Sequence, residues 1–296
     1  MISLALPKGS LERRALRLFE AAGLDVRRSS ERSYRGTIDY ADTIRVAFYK
    51  PREIPSVVGN GLFDLGLTGA DWVEESGALV EVVTSFDYSR HSERPWRLVL
   101  AVPADHPATA VGDLDDGVRV ATEYPNIGRR FFQAAGRRAE VVVSYGATEA
   151  KIPELADVMV DVVETGASLR QNNLRIIETV RTCGAQLIAN PAAHADEGRR
   201  GVIRNIARLL QAAWAGPAHV LLTVRAPAEH LPEVTRAMPG RSWRTGPGLT
   251  DESMVVLQGV LRRGDVPGTI DVLMSAGAVD VTESDIGILA SNTSPA

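Results

Sequence analysis

The sequence predicts an α/β protein: a two-lobed core of alternating strands and helices, followed by a small domain of ferredoxin-like βαββαβ order. Three observations carry that expectation. Short apolar runs alternate with helical patterns through the first two-thirds of the 296 residues. The alternation restarts after the polar, basic stretch YSRHSERPW, as it would at a crossing between two lobes. From about Arg199 one long amphipathic face appears, and the βαββαβ order follows it.

Taken in order, ISLAL reads as a strand, and Leu11, Ala15, Leu18, Phe19 and Ala22 follow at helical spacing, with Gly23 as the stop. IRVAFY is a second strand, ended by Pro51, and Glu53 to Val58 fits a short helix before Gly59 and Gly61. FDLGLTG is a third strand running into a helix start at Ala70–Trp72, the rhythm of a mostly parallel sheet. Past the crossing, RLVLAVP, VRVATE and EVVVS are strands, with Phe131, Phe132 and Ala135 on a helix between the last two. VMVDVV is a strand that opens into ETGASL, and QLIAN is a strand without a local partner, expected to return to the first lobe.

Ile203, Ile206, Ala207, Leu210, Ala213 and Trp214 form the long amphipathic face. Then come HVLLTV as strand, AEHLPEVTRAM as helix, a weak strand near Arg244, SMVVLQGVL as strand, VPGTIDVLMSAG as helix and VDVTE as strand. The expected division is residues 1–92 with 184–212 as the first lobe, 93–183 as the second, and 213–296 as the C-terminal domain.

Composition narrows the function classes. With 33 basic and 37 acidic residues the net charge is −4, which argues against a nucleic-acid protein held by its overall charge but leaves room for a local phosphate pocket. A single cysteine, Cys183, excludes an intrachain disulfide and any multi-cysteine metal site. No signal-peptide pattern opens the chain, and no run of 18 apolar residues occurs, so a cytoplasmic location and no membrane contact are expected. The five histidines show no metal-ligand spacing, and no GxSxG, GxxxxGK[ST] or GxGxxG is present.

The strongest local signal is VMVDVVETGASL, residues 158–169. A buried strand delivers Asp161 near its end, and a turn holding Thr165, Gly166 and Ser168 leads into a helix. Free backbone N–H groups at such a helix start favour a phosphate, and Gly166 allows close approach. The same residues also suffice for an ordinary capped helix. LPKGSL ends the first strand, where open α/β sheets bind ligands, and Lys8 there could meet an anion; Gly9 and Ser10 could equally make only a capped turn. LTGADW, with Asp71, and TEYPNIGRRFF are two further strand ends. Arg32, Arg35, Lys50, Arg52, Arg90, Arg94, Arg129 and Arg130 all lie near strand ends or the crossing, a distribution that suits a polyphosphate ligand.

In chain order, ALPKGSL, SYRGTID, FDLGLTGADW, RLVLAVP, ATEYPN, SYGATEAKIPELADVMVDVVETGASL, NNLRIIET and QLIAN resemble the ATP phosphoribosyltransferases of histidine biosynthesis in their long form. The resemblance implies a periplasmic-binding-protein-like pair of lobes with a C-terminal regulatory domain. It also implies Mg²⁺ dependence, a homohexamer in equilibrium with dimers, and feedback inhibition by histidine. The reaction would convert ATP and phosphoribosyl pyrophosphate to N1-(5-phosphoribosyl)-ATP and pyrophosphate. Carried over by motif, Lys8 and Arg32 would be catalytic, with Arg35 an alternative alignment for the arginine. Asp161, Glu164, Thr165, Gly166, Ala167, Ser168 and Leu169 would hold phosphoribosyl pyrophosphate, Asp161 also touching the metal. Lys8, Gly69, Asp71, Tyr124, Pro125 and Asn126 would face ATP. Ser10 stands where many relatives carry arginine, and Thr223 replaces an acid found near the effector site of some long forms; the effector residues themselves are not assigned. The competing expectation is a non-catalytic, two-lobe binding protein or regulatory paralogue.

Overall fold

The computed structural model describes residues 2–40, 42–87, 95–239, 243–247 and 253–290. The described chain forms three sheets. The first is mixed, in the strand order β2-β3-β1-β4-β11-β5. Its strands are β1 (Ser3–Pro7), β2 (Arg35–Tyr40), β3 (Asp42–Tyr49), β4 (Leu65–Gly69), β5 (Glu81–Phe86) and, from much later in the chain, β11 (Ala185–Ala189). Helices α1 (Glu12–Ala21), α2 (Ile54–Gly59) and α3 (Ala70–Ser76) fall between the early strands.

Strands β1, β3 and β4 run parallel, so their C-terminal ends, carrying Lys8, Lys50 and Ala70, open on one edge of the sheet. The last strand, expected to return, does so: β11 inserts antiparallel between β4 and β5. Its Leu187, Ile188 and Ala189 are fully buried, which is why it reads as an uninterrupted apolar run.

The second sheet has the order β10-β6-β9-β7-β8. It is built from β6 (Trp96–Pro103), β7 (Val118–Thr122), β8 (Ala139–Val143), β9 (Val158–Val163) and β10 (Leu174–Cys183), with α4 (Pro125–Ala134) between β7 and β8 and the short α5 (Ala167–Gln171) after β9. Strands β7, β8 and β9 are parallel; β6 runs against them, and β10, antiparallel to β6, runs with them at the edge. The expectation of a mostly parallel sheet is therefore corrected to two mixed sheets. The strands the apolar pattern did not reveal, β2, β5 and β10, are all sheet edges. Only Ile38 is buried in β2, and β10 carries two register shifts that break its alternation.

After α6 (Pro191–Ala195) and α7 (Glu197–Ala215), the third sheet has the order β13-β14-β12-β15, wholly antiparallel. Its strands are β12 (His219–Pro227), β13 (Arg244–Pro247), β14 (Met254–Arg262) and β15 (Asp280–Asp285), with α8 (Leu231–Ala237) and α9 (Val266–Ser275) in the two crossovers. This is the ferredoxin-like order, including the weak strand at Arg244. Val220, Leu222, Val224 and Ala226 of β12 are fully buried, alternating with its outward residues. By contact density the chain forms two compact units, Met1–Arg17 with Leu24–Ala207, and Leu18–Gly23 with Arg208–Ala296.

Candidate active site

The first wall of the site is the C-terminal edge of the first sheet. The Lys8 amide donates to the Tyr49 carbonyl, so the turn after β1 is tied to the end of β3. Lys8 Nζ donates to Glu12 Oε1 at 2.7 Å and to the Glu31 carbonyl at 3.1 Å, and lies over the rings of Tyr34 and Phe48. Arg28 reaches the same Glu12 oxygen at 2.9 Å and stacks on Phe48. Partial burial would raise the Glu12 carboxyl, but hydrogen bonds from Lys8, Arg28 and the Gly9 amide outweigh it and hold the group below the usual carboxylate range. Thr68 donates to the Pro51 carbonyl and pins the Lys50–Arg52 turn beside this cluster.

Helix α3 starts where β4 ends. Asp71 is buried there, its Oδ2 accepting from Tyr124 OH at 2.8 Å and Trp96 Nε1 at 3.2 Å. Burial pushes its carboxyl up against the pull of those hydrogen bonds. Oδ1 has no well-aligned donor among the described residues. Gly69 is required by this packing, since a Cβ there would sit 2.0 Å from Asp71 Oδ1 and 2.8 Å from Trp96. The next residue, Trp72, stacks on Tyr124 with ring centroids 4.3 Å apart.

The facing wall comes from the ends of β7 and β8. Tyr124, Pro125 and Asn126 open α4. A concavity of about 290 Å³ runs between the two walls, lined among others by Arg52, Trp72, Glu123, Pro125, Asn126 and Tyr145. A neighbouring one of about 330 Å³ shares Arg52, Trp72 and Tyr145 and adds Lys8, Gly9, Ser10 and Lys50. Residues of both sheets therefore line a single cleft.

The TGAS turn follows β9. Gly166 caps α5 with φ of 71°, in the left-handed region, and Arg170 donates to the Thr165 carbonyl. Ser168 Oγ donates to Glu149 Oε1 at 2.7 Å. Glu149, Glu164, Thr165, Gly166, Ala167, Ser168 and Leu169 line a concavity of about 360 Å³, with Leu169 turned into the core beneath it. Asp161 lies in β9, two residues before its end. Burial lifts its carboxyl to about 6, opposed by hydrogen bonds from Thr148 and the Val162 amide and reinforced by the charges of Glu123 and Glu149.

The predicted residues thus fall into two groups, with Arg32 apart from both. Lys8, Pro125 and Asn126 line the cleft between the walls, while Gly69, Asp71 and Tyr124 form the buried joint beneath it. Glu164 to Leu169 form the separate turn after β9, with Asp161 just before it. Arg32 is exposed in the turn before β2. Of the dispersed basic residues, Lys50 and Arg52 line the cleft, Arg35 lies in another concavity along β2 and β3, and Arg130 is paired with Glu74. Arg90 and Arg94 lie outside the described residues. Sequence reasoning missed Glu12, Arg28, Trp72, Glu75 and Glu149. Two signals were available, Lys8 with Glu12 and Asp71 with Glu75, each at i,i+4 spacing after a strand end; the side-chain partners of Arg28, Trp72 and Glu149 lie farther away in the chain.

The ATP phosphoribosyltransferase family model matches residues 50–212, more than half of the chain. The chain belongs to the ATP phosphoribosyltransferase family. A model of the HisG C-terminal domain matches residues 217–287, the region of the third sheet. The ATP phosphoribosyltransferase of Desulforudis audaxviator is 39% identical over 95% of this chain and 96% of its own length. That of Chlorobium phaeovibrioides is 40% identical over 98% and 97%. Among solved structures, a chain of the ATP phosphoribosyl transferase (HisG:HisZ) complex from Thermotoga maritima superposes with a TM-score of 0.60 at 25% identity, covering 71% of this chain and 96% of that one. Membership makes this chain a pentosyltransferase of histidine biosynthesis, and a purely ligand-binding role on the same scaffold is not favoured. The family uses ATP and phosphoribosyl pyrophosphate and requires a divalent metal.

Proposed function

We propose that the cleft joins N1 of ATP to C1 of phosphoribosyl pyrophosphate, with the TGAS turn as the seat of the 5-phosphate. The observation that carries this assignment is the left-handed Gly166 opening a ligand-sized concavity just after the Asp161 strand end. In the reaction the adenine N1 lone pair forms the new C–N bond as the C1–O bond to pyrophosphate breaks. No enzyme nucleophile is needed. The chain's work is alignment of two polyanions and stabilisation of the departing charge.

Lys8, with Arg32 recruited from its exposed turn, would neutralise the leaving pyrophosphate, and Lys50 and Arg52 add positive charge along the same wall. Asp161 and Glu164 would orient the ribose hydroxyls. Gly69 and Asp71 support the ATP wall from beneath, and Tyr124, Pro125 and Asn126 present it.

Among the described residues no three His, Cys, Asp or Glu side chains come together to hold a metal ion. A divalent cation fits only as one carried largely by substrate phosphates, with Asp161, whose raised carboxyl lies near Glu123 and Glu149, as its protein contact. We take it to be Mg²⁺, which would screen the pyrophosphate as it leaves. The same reading includes a three-part division at 1–92 with 184–212, 93–183 and 213–296. It also includes a homohexamer exchanging with dimers, histidine acting as inhibitor through the third sheet's domain, and a cytoplasmic location. No described helix is long and apolar enough to cross a membrane.

The test is to incubate the protein with ATP, phosphoribosyl pyrophosphate, Mg²⁺ and a pyrophosphatase, with and without histidine, and to look for phosphoribosyl-ATP by mass spectrometry. Product that needs both substrates supports the assignment, and its suppression by histidine supports the regulatory part. Substrate binding without product would instead favour an inactive paralogue.

A further inference from the structure

Helix α4 lacks a cap of its own. Its N-cap residue, Tyr124, offers no side-chain acceptor to the helix, and Pro125 at the first position has no N–H. The two amides that remain free are satisfied from the opposite wall. The Asn126 amide donates to both Glu75 carboxylate oxygens, at 3.0 and 3.1 Å, and the Ile127 amide donates to Oε2 at 2.9 Å. Asn126 Nδ2 returns a hydrogen bond to the Glu75 carbonyl at 2.9 Å. Glu75 is 8% exposed, so this carboxylate is committed to the helix rather than to water. The flanking amides are also spoken for: Tyr124 N donates to Thr122 Oγ1, and Gly128 N to the Tyr124 carbonyl.

A helix N-terminus at a strand end is the usual seat for a phosphate in such sheets. Here the seat is filled by a protein carboxylate, and Pro125, Asn126 and Glu75 all line the cleft. We propose that Glu75 is a positioning residue for ATP: it caps α4 across the cleft, holding the Pro125–Asn126 wall against Trp72, and it excludes phosphate from that end. An uncharged part of the nucleotide therefore meets this wall, while the phosphates lie toward Lys8, Lys50 and Arg52. The inference rests on the assignment of Tyr124, Pro125 and Asn126 to ATP.

The experiment compares wild type with Glu75→Gln, which keeps the shape and one acceptor, and Glu75→Ala, which empties the seat. KM for each substrate, kcat and inhibition by inorganic sulfate are measured, with thermal melting as the check on folding. Loss of the cap should raise KM for ATP about tenfold in Glu75→Ala and less in Glu75→Gln. KM for phosphoribosyl pyrophosphate should hold within a factor of about two, well under one tenfold step. Sulfate should become an inhibitor competitive with ATP in Glu75→Ala, an effect that loss of packing alone would not create. Folded variants with unchanged constants and no new sulfate inhibition would overturn the positioning role. Equal rises in both KM values without sulfate inhibition would reduce Glu75 to a structural contact and overturn it as well. A rise confined to phosphoribosyl pyrophosphate, with sulfate competing against that substrate, would overturn the assignment of this wall to ATP, and the proposal with it.

Discussion

Gly166 and Asp161 show how single positions shape the site. At φ of 71°, a valine in place of Gly166 meets a conformational cost of about 1–2 kcal/mol, and its Cβ would stand 3.3 Å from the Arg170 guanidinium. Gly166→Val should therefore weaken phosphoribosyl pyrophosphate roughly tenfold, with KM for ATP little changed; equal affinity in the variant would remove the turn from the site. Asp161 carries a carboxyl raised from 3.8 to about 6, so the folded protein keeps a proton that the unfolded chain releases across that window. Its contribution to stability consequently falls as pH rises from about 4 to 6 and stays low above it. Asp161→Asn should melt higher than wild type at pH 7, with the gap closing below pH 4, while losing turnover. A melting difference independent of pH would contradict the buried, repelled carboxylate.

At the scale of elements, the joint between α3 and α4 organises the cleft. Asp71, Trp72 and Glu75 occupy one side of a seven-residue helix, and each meets the start of α4. Glu74 extends the joint outward, bridging Arg130 and Arg181. These outer pairs are half-exposed and contribute little, whereas the buried Asp71–Tyr124 bond leaves no room for water to compensate its loss. Tyr124→Phe should lower unfolding stability by about 1–3 kcal/mol, read from urea titration; a negligible change would mean that the ring stack alone holds the joint. The apolar runs of β1, β4, β9 and β11 were legible because both faces of each strand are buried. The joint was not legible, because α3 and α4 are about fifty residues apart in sequence, and each short segment reads by itself as a plain strand-end turn.

At the scale of the molecule, the site draws on two sheets and the ferredoxin-like domain stands as part of a second unit. In the proposed reading the divalent cation arrives with the substrate phosphates and takes no part in holding the fold. Removing metal with EDTA should stop turnover but leave the melting temperature of the substrate-free protein unchanged; a lowered melting temperature would reveal a structural ion. Cys183 is buried and its thiol is pushed up to about 12, chiefly by burial with help from the Asp71 charge, so thiol-modifying reagents should leave the folded enzyme active.

Local periodicity and motifs contiguous in the chain sufficed for the α/β class, the βαββαβ domain, the family and the place of the TGAS turn. The mixed strand directions, the edge strands β2, β5 and β10, the joining of Arg28 to the Lys8–Glu12 pair and the capping of α4 by Glu75 came from tertiary packing. Edge strands bury one face at most and leave a weak pattern, and a hydrogen bond across a cleft joins residues whose separation in sequence carries no periodic trace.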